Sequence, residues 1–187
     1  MKLIVEKLKG EHVSLRAIQL DDCQERYVSW LNDPEVNRYL ETRWSVQSLE
    51  SVRSYVEKMI SDPFNYLFAI LENGTGLHVG NIKIGPIEPH HKFASISYFV
   101  GERAAWGKGY ATEAIRLVTR FGFERLGLHS IQAGIYENNL GSARALKKAG
   151  FVFEGGLRKQ MRTEDGWEDH LFFSTVLDLA PTKGKSK

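Results

Sequence analysis

The chain has 187 residues, of which 42% are hydrophobic and 26% charged, the balance of a globular protein with one well-filled core. A formal net charge of +2 does not suggest nucleic-acid binding, and the single cysteine, Cys23, excludes an internal disulfide. The opening apolar run is too short for a secretory leader, and no run approaches membrane-spanning length. We therefore expect a cytoplasmic protein with no nucleic-acid and no membrane partner.

The first half of the chain predicts a strand, two helices and three more strands. Alternating apolar and polar residues indicate a strand over 13–19. Asp21 can cap a following helix, which ends at the Asn-Asp-Pro of 32–34 because residues before proline avoid helical angles. A second helix is expected over 46–61. Three strands follow, at 65–72, 78–85 and 93–100.

The second half predicts two helices and three strands. A long helix follows a glycine-rich stretch and runs to about Leu126, and a short one ends at Gly150 as its C-cap. The strands are expected at 131–136, near 152–162 and at 168–177.

This order of elements predicts one mixed α/β (α+β) domain over residues 1–179. We expect a mostly antiparallel central sheet of about six to seven strands, flanked by about four helices. Residues 180–187 are polar and rich in lysine, which predicts a flexible tail.

The glycine-rich stretch WGKGYATEA, residues 106–114, predicts an anion site at a helix start. Thr112 stands where a dinucleotide fingerprint needs its third glycine, and Gly-Tyr follows Lys108 where a Walker loop needs Ser or Thr. The backbone N–H groups of 107–112 can still converge on an anion, helped by the helix dipole and by Lys108. A tight turn that binds nothing is the alternative. A pyrophosphate fits the pattern better.

A second motif, ENNLGSARALKKAGF at 137–151, follows the predicted strand at 131–136. Together with the glycine stretch it resembles the GNAT superfamily of acyl-CoA-dependent N-acetyltransferases, in particular the RimJ/RimL-like branch of ribosomal-protein and amino-sugar enzymes. The resemblance implies a GNAT-type fold and direct transfer of an acetyl group from acetyl-CoA to a primary amine.

The resemblance also implies which residues bind acetyl-CoA. The loop would hold the pyrophosphate, the preceding strand would pair with the pantetheine arm, and Asn139 would contact that arm. The family often has Gln or Arg where this chain has Ala104, so Arg103 or Lys108 would supply the charge. The implied cofactor-binding set is Phe99, Val100, Gly107, Lys108, Gly109, Tyr110, Ala111, Thr112, Asn139 and Ser142.

The catalytic assignments are fewer. By the same resemblance the N–H of Val100 would polarise the thioester carbonyl. Glu102 is the nearest candidate base, with a solvated loop residue as an equal alternative. Leu146 occupies the position where many relatives have a Tyr or Ser acid, so no acid is assigned, and Tyr136 and Ser142 stay open as substitutes.

The acceptor cleft of relatives lies at the segment WLNDPEVNRYLETRW, residues 30–44. Its candidate substrate-binding residues are Asn32, Arg38, Tyr39 and Trp44. A nucleotide-linked amino sugar and a protein N-terminus remain alternative acceptors, and Leu146 keeps open a non-catalytic acyl-CoA-binding module. We expect no metal, because His90–His91 is better explained as a turn. We also expect a monomer or homodimer.

Overall fold

The strands form where β-branched and aromatic residues alternate or run together, bounded by glycine, proline and asparagine. The computed structural model describes residues 2–177. Its strands are β1 (Leu8–Lys9), β2 (Val13–Ala17), β3 (Tyr66–Glu72), β4 (His78–Glu88), β5 (Phe93–Val100), β6 (Ser130–Tyr136), β7 (Val152–Thr163) and β8 (Gly166–Val176). Its helices are α1 (Glu25–Asn32), α2 (Pro34–Asn37), α3 (Leu49–Ser61), α4 (Tyr110–Glu124) and α5 (Leu140–Lys148), with 3₁₀ turns at Leu20–Asp22, Glu41–Trp44 and Arg103–Ala105.

All eight strands described join one sheet in the order β1-β2-β3-β4-β5-β6-β8-β7. Every neighbouring pair is antiparallel except β5 and β6, which run parallel. The predicted class is therefore confirmed. The predicted number of strands was too low, because β1 is only two residues long and carries no periodic signal.

Helices cover both faces of the sheet. One core cluster joins α4 to side chains such as Phe68, Ile82 and Ile131. A second cluster, on the opposite face, joins α1 and α3 to Leu67 and Ala69 of β3. Since both faces are covered, the site must lie where the sheet or its helical cover is interrupted. Among the described helices, none combines the length and apolar character that crossing a membrane requires.

Three sequence-based expectations need correction or lie beyond the structure. Asp21 lies within a 3₁₀ turn and does not cap α1, whose N-cap is Gln24. The neighbouring Asp22 instead accepts hydrogen bonds from Arg16 and from the Gln19 backbone. About four helices were expected, and residues 2–177 contain five α-helices. The additional helix is α2, which starts at the same Asn-Asp-Pro that ends α1. The expected flexible tail at 180–187 lies outside the described residues.

Glu113 in α4 fixes the position of this helix against the start of the sheet. Its carboxylate accepts backbone N–H groups of Glu11, His12 and Val13. We expect Glu113→Ala to lower the free energy of unfolding by about 2 kcal/mol and the melting temperature by about 4–8 °C, because three donors lose a charged acceptor. Thermal unfolding measures this. Glu113→Gln, which keeps one acceptor oxygen, should lose less, and an equal loss for both variants would contradict the assignment.

Candidate functional site

The sheet opens between β5 and β6. These parallel strands are paired only at Phe93–Ser95 against Ser130–Gln132, although β5 continues to Val100 and β6 to Tyr136. Beyond the paired residues β5 remains bonded to β4 and β6 to β8, so the two strands diverge. The divergence leaves a gap in the middle of the sheet.

A cavity of about 610 Å³ occupies this gap and extends beneath α1 and α3. Its floor is formed by β5 at 96–99 and by β6 at 133–136, and it reaches Asn139 and Ser142 at the start of α5. The volume is that of a small-molecule site, and most of the lining is apolar, with a few polar groups.

The open edge of β5 presents the backbone of Val100 to the gap. Gly101 donates its backbone N–H to the Val79 carbonyl of β4. The backbone N–H and C=O groups of successive strand residues point to opposite edges of the strand, so those of Val100 point away from β4. The Val100 carbonyl accepts the indole N–H of Trp106 at 2.7 Å. Its N–H, and by the same alternation that of Tyr98, points into the gap. Phe99 pairs with Asn81 of β4, so its backbone groups point toward β4 and not into the gap. Phe99 still lines the cavity, through its side chain.

The N-terminus of α4 carries donors that lack acceptors among residues 2–177. Gly109 is the N-cap at φ +84° and Gly107 lies at φ +76°, left-handed angles that favour glycine. A Cβ added at either glycine would meet nothing within 4 Å, so the loop faces open space. No acceptor in the part of the chain that the structure describes bonds the N–H groups of Tyr110, Ala111 or Thr112. These three groups and the helix dipole form an anion cradle.

Side chains in and before the loop contact carboxylates of neighbouring elements. The Tyr110 hydroxyl donates to Glu72 at 2.6 Å, and the Lys108 ammonium lies 3.6 Å from the same carboxylate. The Tyr110 hydroxyl, with the Thr75 hydroxyl second, holds the pKa of Glu72 below its usual range. Arg103 is directed at Asp33, 3.7 Å away. Both cations considered for the position of Ala104 are thus close to carboxylates of the chain, and their role at the cradle stays a prediction.

Helix α5 closes the other side of the gap. The Asn139 side-chain oxygen accepts the N–H of Ser142 at 3.1 Å as an N-cap, and its amide N–H₂ remains beside the cavity. Leu146 is fully buried in the core. A leucine at this position therefore packs the helix against the sheet and takes no part in the site.

Glu102 does not line the cavity. Its carboxylate binds the guanidinium of Arg26 at 2.6 Å, and the same guanidinium lies 5.3 Å from the Trp30 ring. Because the Glu102 carboxylate is paired with Arg26 and lies outside the cavity lining, it has no contact with an amine bound in the cavity, which weakens the case for Glu102 as a base.

A polar cluster that lines the same cavity is a stronger candidate for the general base. The Tyr136 hydroxyl donates to Glu41 at 2.6 Å and accepts from Arg43 at 3.0 Å. Burial, followed by the bond to Glu41, raises the pKa of Tyr136 to about 12. Glu41 borders both this cavity and a second one of about 470 Å³. No sequence pattern marks Glu41 as a functional residue, because a lone acidic residue between helices is usually exposed to solvent.

The predicted substrate residues divide between the cavity and its surroundings. Tyr39 lines the cavity and donates its hydroxyl to the Asn138 carbonyl at 3.0 Å. Trp44, 49% exposed, lines the second cavity. Asn32 instead bonds to the Gln47 backbone in both directions, and neither Asn32 nor Arg38 lines the cavity.

No metal group forms within residues 2–177 from three or more histidine, cysteine, aspartate or glutamate side chains. His90 and His91 lie in the turn between β4 and β5. The predicted absence of a metal stays a prediction.

Comparison with known proteins gives a consistent result. Residues 12–152 match the family described as Acetyltransferase (GNAT) domain. The probable N-acetyltransferase YjcK of Bacillus subtilis (strain 168) is 33% identical over 174 residues, which cover 87% of this chain and 93% of YjcK. A GNAT-family acetyltransferase of Bacillus anthracis superposes with a TM-score of 0.78 at 25% identity, covering 91% and 98% of the two chains. RimL, a ribosomal L7/L12 α-N-protein acetyltransferase in complex with coenzyme A, gives a TM-score of 0.83 at 17% identity over 92% of this chain and 99% of its own, a likeness of fold.

Proposed function

Because the chain belongs to the GNAT acetyltransferase family, we propose that it transfers the acetyl group of acetyl-CoA to a primary amine bound in the cavity. The observation that carries this proposal is an anion cradle at the start of α4, the helix that follows β5, together with a gap in the sheet at the open edge of β5. The cradle suits a pyrophosphate, and the gap suits an extended acyl arm that adds to the open edge of β5.

The residues present fit acetyl-CoA. Three backbone N–H groups at Tyr110, Ala111 and Thr112 lack acceptors in the described chain, and the glycines before them leave room for phosphate oxygens. The N–H groups of Val100 and Tyr98 face the gap, where they can bond the acyl arm and polarise a carbonyl. Acetyl-CoA supplies an activated acyl group, and the chain supplies its alignment.

For the proton of the acceptor amine we propose a relay through Tyr136 to Glu41. The Tyr136 oxygen accepts a proton from the amine while its own proton passes to the Glu41 carboxylate, to which it is already bonded. Arg43 holds the tyrosine oxygen in place. The proton transfer takes place as the neutral amine nitrogen forms the C–N bond with the thioester carbonyl carbon, so the nitrogen loses the one proton that the amide does not keep. The C–S bond then breaks and the thiolate leaves. Ser142, at the edge of the cavity, is the candidate donor to that thiolate.

Free thiol release from acetyl-CoA tests the proposal. The acceptors are amino sugars, with and without a nucleotide carrier, and short peptides with a free N-terminus, which separates the two acceptor classes left open by the sequence. Acetyl-CoA-dependent thiol release with at least one amine supports the enzyme. Binding of acetyl-CoA without transfer to any amine of the panel would favour the non-catalytic acyl-CoA-binding module.

Asn139 separates a capping role from a role in ligand binding. We expect Asn139→Ser to leave the melting temperature unchanged, because serine also caps helices well, and to weaken acetyl-CoA binding about tenfold through loss of the amide N–H₂. Isothermal titration and thermal unfolding measure the two effects. Equal affinity in variant and wild type would reduce Asn139 to a helix cap.

A further inference from the structure

One polar part of the cavity is formed by strands that carry neither the cradle nor the Glu41–Tyr136 pair. It is bounded by α1, α3 and the sheet, and its polar wall is Asn81 and Lys83 of β4 with Ser97 of β5. Asn81 and Lys83 are two residues apart on one strand, so they share a face, and Ser97 is directly opposite Lys83 in the register. Three hydrogen-bond donors therefore point into one region.

Asn81 is the most unusual member of this group. It is 2% exposed, and its side-chain oxygen bonds His78 Nε2 at 2.9 Å. Its amide nitrogen is buried and has no partner among the described residues. A buried N–H₂ without an acceptor is destabilising, so this one is suited to an acceptor that arrives from outside the chain.

Lys83 adds positive charge to the same wall. It is half-buried, and no carboxylate within residues 2–177 forms an ion pair with it. Burial lowers the pKa of its ammonium, which Asp62 only partly opposes. Among the described residues that line the cavity Glu41 is the only carboxylate, and it is bonded to Tyr136 and Trp44. The lining therefore offers Lys83 no free counter-ion.

We propose that Asn81, Lys83 and Ser97 bind an anionic oxygen group, a carboxylate or a phosphate, on the amine acceptor. This inference rests on the proposed function and names its substrate class: an amine that also carries a negative charge. The ammonium neutralises the charge, the Asn81 amide completes its own hydrogen bonding, and the Ser97 hydroxyl donates from the opposite strand. The diphosphate of the acyl donor belongs to the cradle on α4, a different element.

Matched acceptor pairs test the proposal and distinguish the two anions. Glucosamine 6-phosphate is compared with glucosamine, and alanine with alaninamide. We expect wild-type kcat/KM to be at least tenfold higher for the anionic member of one pair, and that pair identifies the anion. Lys83→Gln should lower kcat/KM for the anionic member by about 10- to 100-fold, mainly through KM, and lower it for the neutral member by a few-fold at most. Lys83→Arg should restore most of the preference.

Two controls keep the test decisive. Lys58→Gln removes an equal charge from the exposed face of α3 and should change neither pair. Glucose 6-phosphate and propionate, which have no amine to acetylate, should each be compared by calorimetry with wild type and Lys83→Gln, and at least one should bind the wild type more tightly. Equal binding of both to both proteins, or no preference for anionic acceptors, would overturn the subsite. Absence of acetyl transfer with intact Lys83-dependent anion binding would overturn the proposed function and leave the subsite standing.

Discussion

Replacing Thr112 by glutamate is expected to weaken acetyl-CoA binding on the order of 100-fold while leaving the fold at least as stable. The third residue of α4 carries one of the three N–H groups that lack acceptors among residues 2–177, so a carboxylate there would lie close to a pyrophosphate bound by them. At about 5 Å and an effective dielectric constant of about 20, two unit charges repel by about 3 kcal/mol. The same carboxylate interacts favourably with the helix dipole, so stability should not fall.

The control for this experiment is Thr112→Gln, because glutamine has nearly the shape of glutamate without its charge. It should bind acetyl-CoA within a few-fold of wild type. Affinity is measured by isothermal titration, and the melting temperature without ligand is measured for all three proteins. A Thr112→Glu protein that binds as tightly as wild type would show that the helix start is only a turn and that the phosphates bind elsewhere.

The second large effect is expected at Glu41. Glu41→Gln keeps the size of the side chain and a partner for the Tyr136 hydroxyl but removes the proton acceptor. General-base contributions are typically about 100-fold or more, so kcat should fall by at least that factor while acetyl-CoA affinity stays near the wild-type value. Tyr136→Phe should produce a similar fall. The double variant should be little worse than either single one, because both residues act in one relay.

Glu102→Gln provides the matched comparison, since it makes the same change in a carboxylate that is bonded to Arg26. Its kcat should stay within a few-fold of wild type, with a small loss of stability from the broken ion pair. A large fall in kcat for Glu102→Gln, with Glu41→Gln nearly unchanged, would return the role of base to Glu102. Steady-state rates with a saturating amine distinguish the two outcomes.

The glycine loop shows what the sequence can reveal about this fold. Local signals are sufficient there, because left-handed glycines and a helix start depend on neighbouring residues alone. Gly107 and Gly109 have these left-handed angles, and the helix begins at Tyr110. The class of the fold could be predicted in the same way, from strands in which apolar and polar residues alternate.

The acceptor end of the cavity could not be predicted in this way. Glu41 meets Tyr136 across 95 positions of sequence, and the β7–β8 hairpin brings His170 to the same cavity. The contact of Glu102 with Arg26 spans 76 positions. Such pairings depend on how the sheet and helices pack, which no local pattern encodes. Glu102 lies two residues after Val100 in the sequence, but its side chain is bonded to Arg26 of α1.

The short pairing between β5 and β6 has a mechanical consequence. Five strands on one side and three on the other are joined by a seam of three residue pairs, with α4 and α5 bridging behind it. A molecule that lies in the gap and bonds the free edge of β5 would connect the five-stranded and three-stranded parts of the sheet. Without that molecule, β6–β8 have less support, and their amide hydrogens should exchange faster than those of β2–β4. Occupancy of the gap is thus expected to protect the β6–β8 part of the sheet more than β2–β4.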